Sequence, residues 1–347
     1  MRIVLYISLF KGLLYLFENL YNLKYEVIKM KDYAIICNPL AGKPQKGKRP
    51  IEFASEYLDN LNVSYKLFDT DYAGHAIELA TQLAKDGYRV IGAGGDGTCN
   101  EVLHGVISSN TGVLCGFIPM GSGNDIPAAI GIIPDIKRAC EIIAEDYTGK
   151  SDVGLALKDD GIKRYFLGVG SQGFDAEVAR RVNENKEKNY NAMVIKALFA
   201  WKSKEVKVIM DNETYEGHAN LVAVGNGGSY GGGMYICQKA KVDDGLFDIS
   251  IANIKKLKLL FQFKRMYSGS LSPHSDVYEY QSKKVRIEML NPEDDSYLCQ
   301  VDGEMLGHLP VTYETLKDGY EFIRPQVNEV AEAFKEKYGH YFWECDH

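Results

Sequence analysis

Short apolar runs alternate with segments of helical periodicity from Asp32 to residue 146. Tyr33–Cys37 reads as a buried strand closed by Asn38-Pro-Leu-Ala-Gly-Lys43, and a helix over 47–60 and a strand over 62–68 follow. After the turn Asp69-Thr-Asp-Tyr-Ala-Gly-His75, a helix over 74–86 places Ile77, Ala80, Leu83 and Ala84 on one face. A strand beginning at Tyr88 runs into a glycine loop and a helix over 98–109. The strand 112–118 then leads to Met120-Gly-Ser-Gly-Asn-Asp125, and helical pattern continues to 146. This alternation predicts a doubly wound parallel α/β domain over 31–150 with right-handed crossovers. Ligands of such sheets sit at the carboxyl ends of the strands. The loops at 38–43, 69–75, 92–98 and 120–125 are therefore expected to converge on one crevice.

Beyond residue 150 the period changes. β-rich runs at 152–157, 164–170, 205–210, 217–225, 246–252, 283–290, 296–302 and 310–314 are separated by glycine and polar turns. They predict an antiparallel β-sandwich over 151–313. Helical segments interrupt it at 174–184, 190–202 and 255–268. The last of these is basic and apolar together, which fits a solvated face over a core stripe or a surface that touches a membrane. The segment 314–347 carries a charged amphipathic helix from Glu329.

Residues 1–30 are an extension in which Ile3, Ile7, Phe10, Leu14, Phe17 and Tyr21 recur at helical spacing. Lys11 interrupts its apolar run, which is too short to cross a bilayer, and no small-residue cleavage site follows. Two readings stand: an extension outside the fold, with Met30 as the true start, or an amphipathic helix lying on a membrane.

Length and composition narrow the picture further. A chain of 347 residues that is 46% hydrophobic and 25% charged is expected to form two soluble globular domains. Its net charge of −7 argues against nucleic acid as a partner. Seven scattered cysteines with no C-x-x-C pair exclude a disulfide framework or a zinc site and suit a reducing cytosol. Seven histidines with no H-x-x-x-H pair predict no histidine-bound metal.

The candidate chemistry is concentrated in Gly92-Ala-Gly-Gly-Asp-Gly-Thr98. A strand ending in glycines at a helix start gathers unpaired backbone N–H groups beside the helix dipole, which makes an anion site. Asp96 in its midst would repel phosphate unless a divalent cation or a donor group neutralised it, so the loop is read as a metal–nucleotide site. The loop also fits the dinucleotide pattern G-x-G-x-x-G, but the next strand, GVLCGFIP, ends in no acidic residue for a ribose. In the second loop, Gly121-Ser-Gly-Asn-Asp125, Ser122 is suited to donate to a phosphate oxygen. Asn124 and Asp125 serve equally as helix caps or as groups that orient an acceptor or a metal shell.

Asn38-Pro with Gly42-Lys43, Gly94-Gly-Asp-Gly-Thr98 with Asn100-Glu101, and Gly121-Ser-Gly-Asn-Asp125 together resemble the diacylglycerol kinase catalytic-domain family. The likeness is greatest to its bacterial soluble lipid kinases, relatives of the sphingosine kinases. G-G-D-G-T is shared with NAD kinases and 6-phosphofructokinases, and the G-S-G-N-D loop is what selects lipid kinases. The similarity continues through Gly170-Ser-Gln-Gly-Phe-Asp175, Gly225-Asn-Gly, Gly231-Gly-Gly-Met234, Asp243-Asp-Gly-Leu246 and Asp302-Gly-Glu304, covering residues 31–325. Gln238 stands where the family has a proline, and Ile126 where it commonly has a larger residue.

The resemblance implies an ATP–Mg²⁺ site at Asp96, with Asn38, Gly94, Gly95, Gly97, Thr98, Asn100, Glu101 and Gly121 around the nucleotide. Thr70 and Ser122 resemble nucleotide contacts, Asp125 joins Asp96 at the reacting end, and Glu304 matches the family's general base. Asp244, with the carbonyls of Lys241 and Leu246, resembles a structural Mg²⁺ site. An ordinary turn explains Asp243-Asp-Gly as well, and a hairpin turn Asp302-Gly. The implied activity is transfer of the γ-phosphoryl group of ATP to a lipid hydroxyl, with diacylglycerol giving phosphatidic acid. The implied setting is a cytoplasmic homodimer at the inner face of the membrane. The competing readings are an NAD or sugar-phosphate kinase and a non-catalytic nucleotide-binding regulator.

Overall fold

The computed structural model describes residues 32–44, 47–184, 201–255, 258, 265–268, 276–294 and 296–341. The extension 1–30, residues 190–200 and more than half of the segment 255–268 lie outside these residues, so the helices expected there are not described as wholes. The parallel core consists of β1 (Tyr33–Cys37), β2 (Tyr65–Asp69), β3 (Arg89–Gly94) and β4 (Cys115–Pro119), in the spatial order β2-β1-β3-β4. Strand order reverses at β1, so the crevice opens at the carboxyl ends of β1 and β3. Helix α1 (Pro50–Asn60) packs on α5 (Ile136–Glu145), and α2 (His75–Lys85) packs on α3 (Asp96–Ser108). The α2–α3 contact depends on Gly105, where an added Cβ would stand 2.5 Å from the Ile77 carbonyl oxygen.

The β region is a sandwich, as the alternation of its strands predicts. One layer holds β14 (Val277–Ser282), β13 (Phe247–Ala252), β10 (Leu221–Gly225), β7 (Val169–Gly173), β16 (Leu298–Val301) and β17 (Glu304–His308), in that order and all antiparallel. The other layer holds β5 (Thr148–Leu157), β6 (Lys163–Phe166), β8 (Lys204–Met210), β9 (Thr214–Ala219), β15 (Lys284–Met289) and β18 (Val311–Ile323). Phe166 and Tyr313 from this second layer meet Phe247, Val224 and Tyr297 of the first in one buried core. Ring centroids of Phe166 and Phe247 are 5.8 Å apart. Offset rings at that spacing add stabilisation beyond their buried area.

The two regions share a sheet. β18 pairs antiparallel with β15 at its start, runs beside β5 for most of its length, and meets β4 in parallel at Phe322 opposite Cys115. The boundaries expected at 150/151 and 313/314 therefore both fall inside strands, and the sheet continues from one region into the other. Two runs expected as single strands are also divided. The 164–170 run becomes β6 and β7, and the 217–225 run becomes β9 and β10, each pair in opposite layers. A continuous apolar run shows no sign of the layer change, because both layers bury their inward residues. The remaining elements are α4 (Asp125–Ala129), α6 (Phe174–Glu184), a ribbon of β11 (Ser229–Tyr230) and β12 (Met234–Tyr235), and α7 (Glu329–Tyr338). Among the described residues no helix is long and apolar enough to cross a membrane.

Candidate active site

The four strand-end loops meet as the alternation predicts. Asn38 N–H donates to the Ala93 carbonyl at 3.3 Å, Thr70 N–H to Cys37 at 2.9 Å, and Met120 N–H to Gly94 at 2.8 Å. The two glycine loops touch backbone to backbone: a Cβ on Gly121 would lie 2.6 Å from the Cα of Gly95. Gly94 leaves room for the Thr98 side chain, whose Cβ would be 2.6 Å from an added Cβ there. These contacts explain the glycines by close approach.

Asp96 is the first residue of α3, capped by Gly95, so the helix starts two residues earlier than the sequence suggests. Its carboxylate is already satisfied. Oδ2 accepts Asn124 N–H at 2.8 Å and Oδ1 accepts Ile126 N–H at 3.0 Å. Of the two neutralisers expected for this carboxylate, a cation or a donor group, the structure shows donors: backbone amides at the start of α4 hold it. Asn124 sits in the left-handed region at φ 62°, and its side-chain oxygen accepts Gly121 N–H at 2.8 Å, which shapes the loop around Asp96.

Asp125 faces the β region. Its Oδ2 accepts Gly232 N–H at 2.7 Å and its Oδ1 accepts Gly233 N–H at 2.9 Å, with the Ser229 hydroxyl at 3.4 Å. Gly231, Gly232 and Gly233 all have positive φ, a conformation that glycine alone adopts without cost. Burial raises the Asp125 pKa first, the two amides oppose it, and the charge of Asp96 raises it further. Gly123 lies between the pair: a Cβ there would be 2.5 Å from Asp96 Oδ2 and 3.2 Å from Asp125 Oδ2.

Glu304 reaches the same place from the sandwich. Asp302 and Gly303 have φ values of 47° and 87°, the pair of positive angles that a two-residue hairpin requires. The turn between β16 and β17 delivers Glu304 to the first turn of α3, where a Cβ on Gly97 would be 3.9 Å from Glu304 Oε1. Arg164 approaches Oε2 at 3.7 Å. Burial raises the Glu304 pKa, Arg164 lowers it, and Glu101 raises it. Asp302 itself is turned inward. It accepts the amides of Leu167, Gly168 and Val169 at 3.0 to 3.1 Å, and burial pushes its carboxyl up to about 7.

Asp96, Gly97, Ser122, Asp125 and Glu304 line one cavity of 750 Å³ between the α/β core and the sandwich. The same cavity is also lined by apolar side chains, among them Ile126, Phe174, Val178, Leu221, Met234 and Met266. Asn38, Thr70, Gly94, Gly95, Thr98 and Gly121 belong to the adjoining loop cluster and do not line this cavity. Asn100 and Glu101, expected at the nucleotide, each hold protein backbone. The Asn100 side-chain amide donates to the Tyr165 carbonyl at 3.3 Å. Glu101 accepts Gly74 N–H at 2.9 Å and Ala76 N–H at 3.2 Å, so it caps α2 and fixes the turn after Thr70.

The candidate metal residues occupy a turn beside β18. Asp244 accepts Leu246 N–H at 2.9 Å through Oδ1. Burial raises its pKa, with Asp152 and Asp243 adding to the rise. Among the described residues no three acidic, histidine or cysteine side chains gather here as a metal site, so a cation at Asp244 would rest mainly on backbone carbonyls. Asp152, which sequence reasoning missed, ties this turn to β18 by accepting Gly245 N–H at 2.6 Å and Asp318 N–H at 2.7 Å.

Known proteins match this arrangement along both regions. Residues 32–156 match the Diacylglycerol kinase catalytic domain, and residues 168–328 the YegS C-terminal NAD kinase beta sandwich-like domain. A diacylglycerol kinase from Staphylococcus aureus is 30% identical over 305 residues, covering 85% of this chain and 93% of the relative. The chain belongs to the diacylglycerol kinase family. A diacylglycerol kinase from Staphylococcus carnosus is 28% identical, with 87% of this chain and 98% of the relative covered. The crystal structure of a putative diacylglycerol kinase from Bacillus anthracis has the same fold, with a TM-score of 0.68 at 23% identity over 85% of this chain and 98% of that one. This family member is a lipid kinase, and its family implies ATP as the phosphoryl donor.

The remaining cleft residues were harder to find from sequence. Asp175 lines the apolar side of the cavity, and burial pushes its carboxyl up to about 6. It closes the motif Gly170-Ser-Gln-Gly-Phe-Asp175, whose spacing does not mark it as facing the cleft. Arg164 carries no signal in the sequence, because its partner Glu304 lies far along the chain, in the other layer of the sandwich.

Proposed function

We propose that the protein transfers the γ-phosphoryl group of ATP to the hydroxyl of a membrane lipid, with diacylglycerol as acceptor and phosphatidic acid as product. The observation that carries this is the 750 Å³ cavity, whose lining joins the carboxylates of Asp96, Asp125 and Glu304 to the apolar side chains of Phe174, Val178, Leu221, Met234 and Met266. A water-soluble acceptor such as NAD has no use for the Phe174, Val178, Leu221 and Met266 wall, whereas acyl chains bury against it.

In this reading the strand-end loops present backbone amides to the phosphates, with Thr70 and Ser122 as polar contacts. Asp96 and Asp125, fixed by amides and facing one glycine, retain lone pairs for a divalent cation on the triphosphate. Mg²⁺ bound there would neutralise phosphate charge as it develops. Glu304 takes the proton from the lipid hydroxyl as the new O–P bond forms, and the bond to the β-phosphate breaks to leave ADP. Asp302 is excluded from that role because its oxygens are turned onto the amides of 167–169. Asp244, with the Lys241 and Leu246 carbonyls, would hold a structural cation that fixes the turn against β18.

The deciding assay supplies labelled ATP with a total membrane lipid extract and identifies the labelled product by mass. A labelled diacylglycerol phosphate is expected. Label found only on a soluble acceptor, or on no acceptor despite tight ATP binding, would replace the reading with its sugar-phosphate or regulatory alternative. A pH profile tests the base. Glu304 must be ionised to act, and its pKa is raised, so kcat/KM should fall as pH drops through a midpoint above the ordinary glutamate value of about 4.3. Arg164 lowers that pKa, so Arg164→Gln should move the acid limb to higher pH. An acid limb that Arg164→Gln leaves in place would separate Arg164 from the titrating group.

A further inference from the structure

A second cavity lies behind the Asp125 clamp. It measures 270 Å³ and is walled by α4 at Ala128 and Ala129, the ribbon at Ser229, and the cations Lys241 and Arg324. This is several times the roughly 30 Å³ that one water occupies in the liquid. Arg324 is built into the wall. Its backbone N–H donates to Tyr147 at 3.1 Å, and its side-chain stem runs along Gly149, where an added Cβ would meet Arg324 Cδ at 3.2 Å. One guanidinium nitrogen donates to the buried Ser151 hydroxyl at 2.6 Å. Among the described residues no carboxylate lies within ion-pair distance of it, unlike Arg89, Arg138 and Arg286, each of which has one.

An arginine set into a fold normally satisfies its fork of five donors with carboxylates or carbonyls. Here burial pulls the guanidinium below its ordinary value, and only the charge of Asp243 opposes that. Lys241 and Asp243 are both exposed at the rim, and Asn328 adds an amide to the wall. The local balance is two cations to one carboxylate. We infer that this cavity is a phosphoanion site, in which Arg324 and Lys241 bind a phosphomonoester that is either free in solution or the headgroup of a lipid. Fork-shaped guanidinium against tetrahedral oxyanion is the pairing that arginine favours, with lysine supplying a point charge.

The cavity and the catalytic cleft are lined by different residues of the same helix and ribbon. Ala128 and Ala129 belong to the helix that begins at Asp125, and the hydroxyl of Ser229 stands 3.4 Å from Asp125 Oδ1. An anion there would stiffen the ribbon that clamps Asp125. That consequence for turnover rests on the lipid-kinase reading, whereas the binding itself does not.

The test is calorimetric titration of inorganic phosphate into the full chain saturated with a non-hydrolysable ATP analogue, so that the nucleotide loops are filled. Saturable binding is expected, weakened at least tenfold in Arg324→Gln and in Lys241→Gln. The exposed Lys241 variant keeps the test open should the half-buried Arg324 variant fail to fold. Co-sedimentation with phosphatidylcholine vesicles containing phosphatidic acid identifies the source. Loss of vesicle binding in Lys241→Gln assigns a lipid headgroup, and unchanged vesicle binding with weakened phosphate binding assigns the free anion. No phosphate binding to the nucleotide-loaded protein, or equal affinity in wild type and the folded variants, overturns the inference.

Discussion

Glu304→Gln is expected to lower kcat by about 10²–10⁴-fold, the usual contribution of a positioned general base, while ATP binding stays close to wild type. The amide has the size and shape of the acid but cannot take a proton from a lipid hydroxyl. The fold should tolerate it, because Glu304 is placed by the Asp302-Gly303 turn and not by its own side chain. Its one ionic neighbour, Arg164 at 3.7 Å, is distant and partly solvated, so losing that pair costs little. Burial already favours the neutral form, which the amide imitates. Nucleotide titration and single-turnover transfer with the same protein separate binding from chemistry. Near-normal turnover would remove Glu304 as the base and turn attention to the other cleft carboxylates, among them Asp175, since the neighbouring Asp302 is committed to three amides.

The sequence carried the architecture well where pattern and structure have the same length scale. The β1–β4 strands and their helices were legible because strand and helix periods alternate cleanly and each strand ends at a glycine or polar loop. The convergence of the loops followed from topology alone. What was illegible was long-range. β18 was visible only as a short run at 310–314, because Lys317, Asp318 and Gly319 interrupt its apolar pattern where its register with β5 shifts between Leu316 and Tyr320. Its role as the strand joining both regions depends on partners more than a hundred residues away. The edge strand β14, VYEYQS, was missed because its residues are mostly exposed or half-buried and polar.

The site was legible by residue type and misread by partner. Asp96, Asp125 and Glu304 do share one opening, and of the two groups expected to neutralise Asp96, a cation or a donor, sequence alone did not show that backbone amides are there. A carboxylate in a glycine loop looks like a ligand for a cation because sequence shows the neighbours' identity and not their N–H directions. Asn100 and Glu101 illustrate the same limit: both are polar residues on a helix beside the loop, and both face away to hold other backbone. The Gly231–Gly233 clamp could not be assigned to Asp125 at all, for the pair is formed only when the sandwich closes on the α/β core.

Asp96→Ala should abolish measurable transfer and lower stability by about 1–3 kcal/mol, the penalty for leaving a helix start uncapped and buried donors unpaired. The two losses have one origin. Removing the carboxylate frees the amides of Asn124 and Ile126, so the loop that carries Ser122 and Asp125 loses the bonds that set its path. Asp125 would then no longer be held by α4 on one side and the glycine ribbon on the other. Asp96→Asn discriminates between charge and scaffold. Its side-chain oxygen replaces one acceptor, but its NH₂ must face the second backbone N–H, so it too should be destabilised, by less than alanine. Denaturant unfolding gives the order of stabilities, and labelled-ATP transfer to diacylglycerol gives the activities. If Asp96→Asn unfolds like wild type, the two amides do not depend on this carboxylate. If either variant keeps wild-type transfer, Asp96 has no part in the reaction, and the cleft's acidic end would have to be rebuilt around Asp125 alone.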